Sequence, residues 1–309
     1  MKKLFLLLTL VYISNFIFGD SIKVAALKGP TGLSMVTLID SNTQLGTETE
    51  YSIVNTPDLV VAGLLSGNYS IAALPTNLAA ILYNKKPDYE LIAVSGQGNL
   101  YVVSNDESIK SWKNLSDKTV YNIARSSTPD FMLNYLLKKN SINANIDFTY
   151  NHVELAPMLI AGKVSTGILP EPLVSTVLLK NPKMKVVLDF QKEYEKYNNS
   201  SYPLSCIVAS KKLITENPEA IKVFLQKLNS SIDFVNSNPE EAGELGNKVG
   251  LGVTSTIVKN SISRLNIGYL DSQSAKSQLE SYYKILFESD TKSIGGKLPA
   301  NDFYYDKNK

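Results

Sequence analysis

The run LVVAGLLSGNYSIAALPTNLAAILYNK, residues 59–85, carries the alternation that decides the fold. Asp58 opens a helical pattern with Leu59, Val60, Ala62, Gly63, Leu64 and Leu65, and Gly67-Asn68 closes it. Residues 69–74 then read as a strand, and Pro75-Thr76-Asn77 opens a second helix over residues 78–83. Helix, strand and helix joined by short connections predict a mostly parallel sheet covered on both faces.

Upstream, IKVAALKGPTGLSM at residues 22–35 gives a buried strand that runs into the turn Gly29-Pro30-Thr31-Gly32, and helical spacing follows over residues 33–39. The turn is either a plain connector or a place where backbone meets a ligand. Its glycines permit close approach, and free N–H groups at a helix start favour an anion or a carbonyl oxygen. Further upstream, Met1-Lys2-Lys3, an apolar run over residues 4–18 and Gly19 before Asp20 have the layout of a secretory leader, residues 1–19. A membrane anchor needs about 20 apolar residues and this run offers about 15, so export with cleavage near Gly19 is the expectation. No cysteine stands there to carry a lipid.

Downstream, residues 89–104 read as two strands split by Ser95-Gly96-Gln97-Gly98-Asn99. Strands over 118–123, 146–150, 166–169 and 185–189 then alternate with helices over 129–139, 154–161 and 172–179, enough for a second sheet. After a strand at 204–209, Asn217-Pro218-Glu219 and Asn238-Pro239-Glu240 each place a capping Asn before a proline. The first of these helices gathers Ile221, Phe224, Leu225, Leu228, Ile232 and Val235 on one face. Having no sheet of their own, the C-terminal helices are expected on the first block. The prediction is an α/β protein of two lobes, 20–102 plus 203–309 and 103–202, joined by two chain crossings that make a hinge beside a cleft.

Composition narrows the chemistry. The chain is 44% apolar with a net charge of +2, which falls to zero when Lys2 and Lys3 leave with the leader, so nothing attracts a nucleic acid by charge alone. The single cysteine, Cys206, lies in an apolar run and reads as a buried side chain. The single histidine, His152, has no nucleophile motif beside it. G-x-S-x-G, P-loop and H-E-x-x-H patterns are absent, and neither a cofactor nor a metal is expected.

In order and spacing, KGPTG at 28–32, the run at 59–85, WKNLSDKTV at 112–120, LAPMLIAGKVSTGILPEP at 155–172 and NPEAIKVFL at 217–225 resemble the type II periplasmic solute-binding proteins of ABC importers, in the group that takes sulfonates, nitrate and thiamine pyrimidines. The resemblance covers essentially the whole mature chain. It implies a periplasmic, non-enzymatic monomer that closes on a small molecule and docks on a membrane permease with its ATPase. It also places the ligand-facing loops at Gly29, Pro30, Thr31 and Gly32; at Thr76 and Asn77; at Gln97, Gly98 and Asn99; at Arg125, Ser126, Ser127 and Thr128; and at Glu171. Two alternatives accompany the resemblance: a ligand-sensing module that feeds a receptor instead of a permease, and an enzyme, since a few share the fold, lyases of a menaquinone route and pyrimidine synthases among them. The synthases depend on cysteines and histidines that are absent here.

The residue chemistry at those loops allows two ligand classes. Ser126, Ser127 and Thr128 add hydroxyls beside a helix start and Arg125 adds charge, which suits a sulfonate, phosphate or carboxylate; the same residues also serve as plain caps. Glu171, held between Pro170 and Pro172, suits a ligand rich in donors, or else simply complements a helix start. With neutral Asn77, Gln97 and Asn99 it tilts the expectation toward a planar heterocycle such as an aminopyrimidine. Tyr101, Tyr121 and Tyr202 are placed to stack on such a ring, or to pack.

Overall fold

Two β-sheets divide the protein, and the computed structural model describes them within residues 21–308. The leader expected at residues 1–19 lies outside the described residues. In chain order the strands are β1 Ile22–Leu27, β2 Thr49–Val54, β3 Ile71–Pro75, β4 Tyr89–Gln97, β5 Leu100–Ser104, β6 Thr119–Tyr121, β7 Asn145–Asp147, β8 Thr166–Pro170, β9 Lys185–Asp189, β10 Pro203–Ser210 and β11 Ile267–Asp271. The helices are α1 Pro30–Leu33, α2 Val36–Asp40, α3 Pro57–Leu65, α4 Thr76–Lys85, α5 Thr128–Asn140, α6 Leu155–Ile160, α7 Leu173–Lys180, α8 Phe190–Asn198, α9 Lys211–Glu216, α10 Pro218–Ser237, α11 Pro239–Lys248, α12 Ser255–Leu265 and α13 Ser272–Ser289.

The first sheet runs β11-β4-β10-β3-β1-β2 and the second β7-β6-β8-β5-β9. Buried on nearly every residue, β1 and β3 are the continuous apolar strands that a doubly covered sheet requires. The expected parallel direction holds for β1 to β4 and for β6 to β9. Between them, however, β10 inserts antiparallel to both β3 and β4, and β5 inserts antiparallel to both β8 and β9. These are the two strands that follow the crossings. A chain that comes back from the other lobe enters the sheet from the opposite end, so its direction is reversed.

Strand pairing also moves one expected boundary. Residues 100–104 pair wholly within the second sheet, so the first crossing is Gly98-Asn99 and not residue 102. The second crossing is residues 199–202, ahead of β10. Several elements went unanticipated, α9, α12 and α13 among them. Strand β11 adds an outer edge to the first sheet, and α8, rich in charged residues, buries Phe190 and Tyr194.

Among the C-terminal helices, Asn217 caps α10 through the Ala220 N–H at 3.1 Å, and Ile221, Phe224, Leu228, Ile232 and Val235 are buried as the periodicity requires. Asn238 does not cap α11. Its amide donates to Phe234 O at 3.2 Å and closes α10 instead. One continuous core, including Leu74, Val102, Trp112, Tyr202 and Tyr282, passes through the lobe junction, while separate cores fill the outer face of each sheet.

Cys206 sits at the centre of this arrangement in β10, fully buried, with burial pushing its thiol pKa up. It is expected to stay unreactive toward a thiol reagent in the folded protein and to react once in denaturant. Fast labelling of the native protein would mean that β10 opens locally.

Candidate functional site

The junction is built where β4 ends and the chain crosses. Gly98 N–H donates to Tyr202 O at 2.9 Å, which ties the two crossings together. A Cβ on Gly98 would lie 1.9 Å from the Tyr202 ring, so only glycine fits there. Tyr202 in turn stacks on Tyr282 of α13 at 5.8 Å and meets Tyr194 of α8 edge-on at 5.1 Å. The hinge therefore rests on a stack of rings drawn from both lobes. Both crossing-side tyrosines marked for ligand stacking, Tyr101 and Tyr202, are buried in packing, while Tyr121 is half-buried against Tyr150.

The turn at 29–32 divides its work. Gly29 has φ +95°, a conformation that favours glycine, and its N–H goes to Leu251 O at 2.8 Å. Gly32 is a packing requirement, since a Cβ there would meet Leu27 O at 2.3 Å. Pro30 brings no N–H, Thr31 O accepts from the Ser34 hydroxyl at 2.9 Å, and α1 is a single turn of four residues. Such a turn carries little of the dipole that the anion reading asked of it.

Of the second loop, Thr76 is buried and donates to Pro203 O at 2.9 Å, while its carbonyl accepts from Tyr283 Oη at 2.9 Å. Thr76 is thus a strut between α4 and the second crossing. Asn77 beside it is half-buried, with no side-chain partner among the described residues.

In the second lobe, α5 starts without a side-chain cap. The Ser127 hydroxyl donates back to Ala124 O at 2.8 Å, and the Ser126 N–H, at φ +52°, donates to Asp130 Oδ2 at 2.8 Å. The Thr128 side chain faces Tyr282 across the junction. Arg125 is exposed, its guanidinium 4.1 Å above the Phe148 ring. The neighbouring Asp147 is held below the usual carboxylate range by Thr149 hydrogen bonds, and Arg125 adds to this.

Glu171 is fully enclosed and its carboxylate is spoken for. Oε2 accepts from Ser175 N at 2.9 Å at the start of α7, and Oε1 accepts from Ser175 Oγ at 3.0 Å and from Arg264 Nε of the other lobe at 2.5 Å. Glu171 thereby fills the helix-start role, with an ion pair added across the junction. Arg264 was not anticipated from the sequence. A usable signal existed: only two of the 31 basic residues are arginine, Arg125 and Arg264, and arginine is the cation suited to forked, buried ion pairs.

Among the described residues, buried polar atoms by the crossings and the sheet ends that lack a partner include Gln97 Oε1, Asn99 Oδ1 and Asn122 Nδ2, and the Tyr202 and Tyr282 hydroxyls make no well-formed hydrogen bond, with the Leu100 backbone beside the first and the Thr128 side chain beside the second. They come from the end of β4, both crossings, the end of β6 and α13, hence from both lobes. Burial raises the Tyr202 and Tyr282 phenol pKa values, which keeps both neutral and able to donate. Unpaired buried polar atoms each cost about 1–3 kcal/mol and call for an occupant. Asn122 and Tyr282 were not foreseen, since their burial depends on strand and helix placement. His152 is exposed, away from any nucleophile pairing.

The fold is shared with known structures. An ABC transporter protein of Parabacteroides distasonis superposes with a TM-score of 0.82 at 24% identity, covering 94% of this chain and 100% of that one. The periplasmic aliphatic sulphonate binding protein of Escherichia coli gives 0.72 at 14% identity, covering 93% and 92%. The alkanesulfonate-binding protein of Xanthomonas axonopodis bound to MOPS gives 0.61 at 11% identity, covering 88% and 93%. No curated protein sequence matches the chain. Residues 40–250, more than half of the chain, match the family model described as ABC transporter, phosphonate, periplasmic substrate-binding protein. With its two sheets, two crossings and unpaired polar junction, the chain belongs to that family and is a periplasmic substrate-binding component of an ABC transporter.

Proposed function

We propose that the protein captures a small organic solute with an oxyanion head, of the phosphonate or sulfonate class, and hands it as a monomer to a membrane permease driven by its ATPase. The observation that carries this reading is the uncapped start of α5, which can take the oxyanion, beside unpaired polar atoms contributed by both lobes that call for a bridging solute. A ligand that satisfies them stabilises the closed arrangement by its differential affinity, which is what closure requires.

The head group is assigned to the start of α5. This helix has 13 residues and no side-chain cap, so the Ser127, Thr128 and Asp130 N–H groups and the Ser126 hydroxyl are available to an oxyanion, and the Ser127 hydroxyl joins them by turning away from Ala124 O. Arg125 stands on the rim to attract it. The argument for a donor-rich heterocycle rested on Glu171 with Asn77, Gln97 and Asn99; the Glu171 oxygens are taken by Ser175 and Arg264, while the Gln97 and Asn99 side-chain oxygens stay free to accept from a donor on the body of the solute. The phosphonate class of the family and the sulfonate class of two structural neighbours support the oxyanion reading.

Calorimetric titration with methylphosphonate, an aliphatic sulfonate, nitrate and an aminopyrimidine, on protein refolded from denaturant to strip carried ligand, tests it. A phosphonate or sulfonate is expected to bind, and Ser127→Ala with Thr128→Val to weaken it at least about tenfold, equivalent to 1.4 kcal/mol. Binding of the aminopyrimidine alone would overturn the oxyanion assignment.

A further inference from the structure

The end of α12 makes a third, non-covalent connection between the lobes. Arg264 reaches from the first lobe to Glu171 Oε1 at 2.5 Å and to Ser175 Oγ at 2.8 Å, and Ser175 Oγ, whose hydrogen Glu171 Oε1 and Asn260 O share, lies 3.1 Å from Asn260 O. Tyr101 Oη of β5 donates to Arg264 O at 2.8 Å. Asn266 Nδ2 donates to Gly98 O at 2.5 Å, and its carbonyl accepts Gln97 N–H at 2.9 Å. Glu171 N–H donates to Asn99 O at 3.1 Å. Arg264 and Asn266 therefore hold the first crossing from one side and the start of α7 from the other.

We propose that Arg264 is a positioning residue for solute capture: with Glu171 it clasps the two lobes along the α7–α12 edge before any solute arrives, so that closure is a rotation about that edge. Three features support this. The Glu171 side chain is wholly enclosed, so opening at this edge would put a buried carboxylate's only cation out of reach. The bonds converge on Gln97, Gly98 and Asn99, the segment that carries two of the unpaired acceptors. Finally, Arg264 makes forked contacts to Glu171, Ser175 and Asn260 at once, which a lysine ammonium cannot reproduce in one geometry. The proposal rests on the solute-capture reading only for its effect on affinity; its geometric content needs no ligand.

Lobe distance is the direct test. Spin labels go on Asp58→Cys and Thr149→Cys, exposed positions beside edge strands β2 and β7 and remote from the crossings, where rotation gives the largest displacement. Cys206 is buried and stays unlabelled. Without solute, the parent is expected to give one narrow distance. Glu171→Gln with Arg264→Met, which removes both charges together and so leaves no buried ion unpaired, is expected to broaden and lengthen it. Arg264→Lys, which keeps the charge, is expected to fall between. For whichever solute the titrations identify, affinity should fall about tenfold in the double variant in proportion to the lost closed population. A solute-free parent that is already broad and long, or a folded double variant with the parent's distances, overturns the clasp. Failure of phosphonates and sulfonates to bind would instead count against the oxyanion reading and leave the distance result standing.

Discussion

Replacing Gly32 with alanine is expected to lower the melting temperature of the protein by about 6–12 °C. The added Cβ would sit 2.3 Å from Leu27 O and 2.6 Å from Leu251 Cδ2. Leu27 ends β1 and is paired with Val54 of β2, so its carbonyl cannot retreat without disturbing that pairing. Overpacking of this kind costs about 1–3 kcal/mol, and contact with sheet backbone belongs at the top of that range. At about 2–4 °C per kcal/mol for a chain of this size, the shift is readily measured by thermal denaturation. Gly29→Ala supplies the contrast. No atom lies within 4 Å of its would-be Cβ, so its cost is backbone strain alone, and roughly half the shift is expected. A Gly32 variant that melts like the parent would show that Leu251 and the turn move aside, and that the glycine is not required for packing.

Tyr202 is expected to separate packing from recognition. Tyr202→Ala removes a fully buried ring that closes over Gly98 and contacts Tyr194 and Tyr282, a loss of about 3–5 kcal/mol, and with it the stack that supports both crossings. Tyr202→Phe keeps the ring and deletes only Oη, which has the Leu100 backbone beside it and no well-formed hydrogen bond among the described residues. Its stability is expected to equal or slightly exceed the parent's, because a buried unpaired hydroxyl is a cost removed. Solute affinity is expected to fall about three- to tenfold if Oη meets the ligand. Thermal melts and titration on the same samples give both readings. A phenylalanine variant that loses stability while binding as tightly as the parent would place the hydroxyl in the fold and outside the site.

How much of the site could be read in advance varied loop by loop. Ser126, Ser127 and Thr128 were marked as either donors or caps; the Ser127 hydroxyl points back to Ala124 O, and the helix start stays uncapped. Glu171 was marked as either a ligand group or a helix-start acid, and the deciding partner, Arg264, is 93 residues away. Nothing local to PEP at 170–172 announces that arginine. Thr76 was placed correctly at a helix start, yet its hydroxyl is used by Pro203, which reaches it only because β10 inserts beside β3.

The sequence by itself determined the alternation of strands and helices, the number of crossings and the glycine-bearing turn after β1. These follow from hydrophobic period, proline and glycine punctuation and N-terminal caps, all of which act over a few residues. The antiparallel entry of β5 and β10, the extra edge strand β11 and the shift of the first crossing to Gly98-Asn99 were decided by tertiary structure. So were the commitment of Glu171 to Arg264 and the stacking of Tyr202 on Tyr282. The physical reason is common to all of them. A side chain's partner is set by which segments the two crossings bring side by side, and a hydrogen bond across 93 residues leaves no periodic trace in either of the stretches it joins.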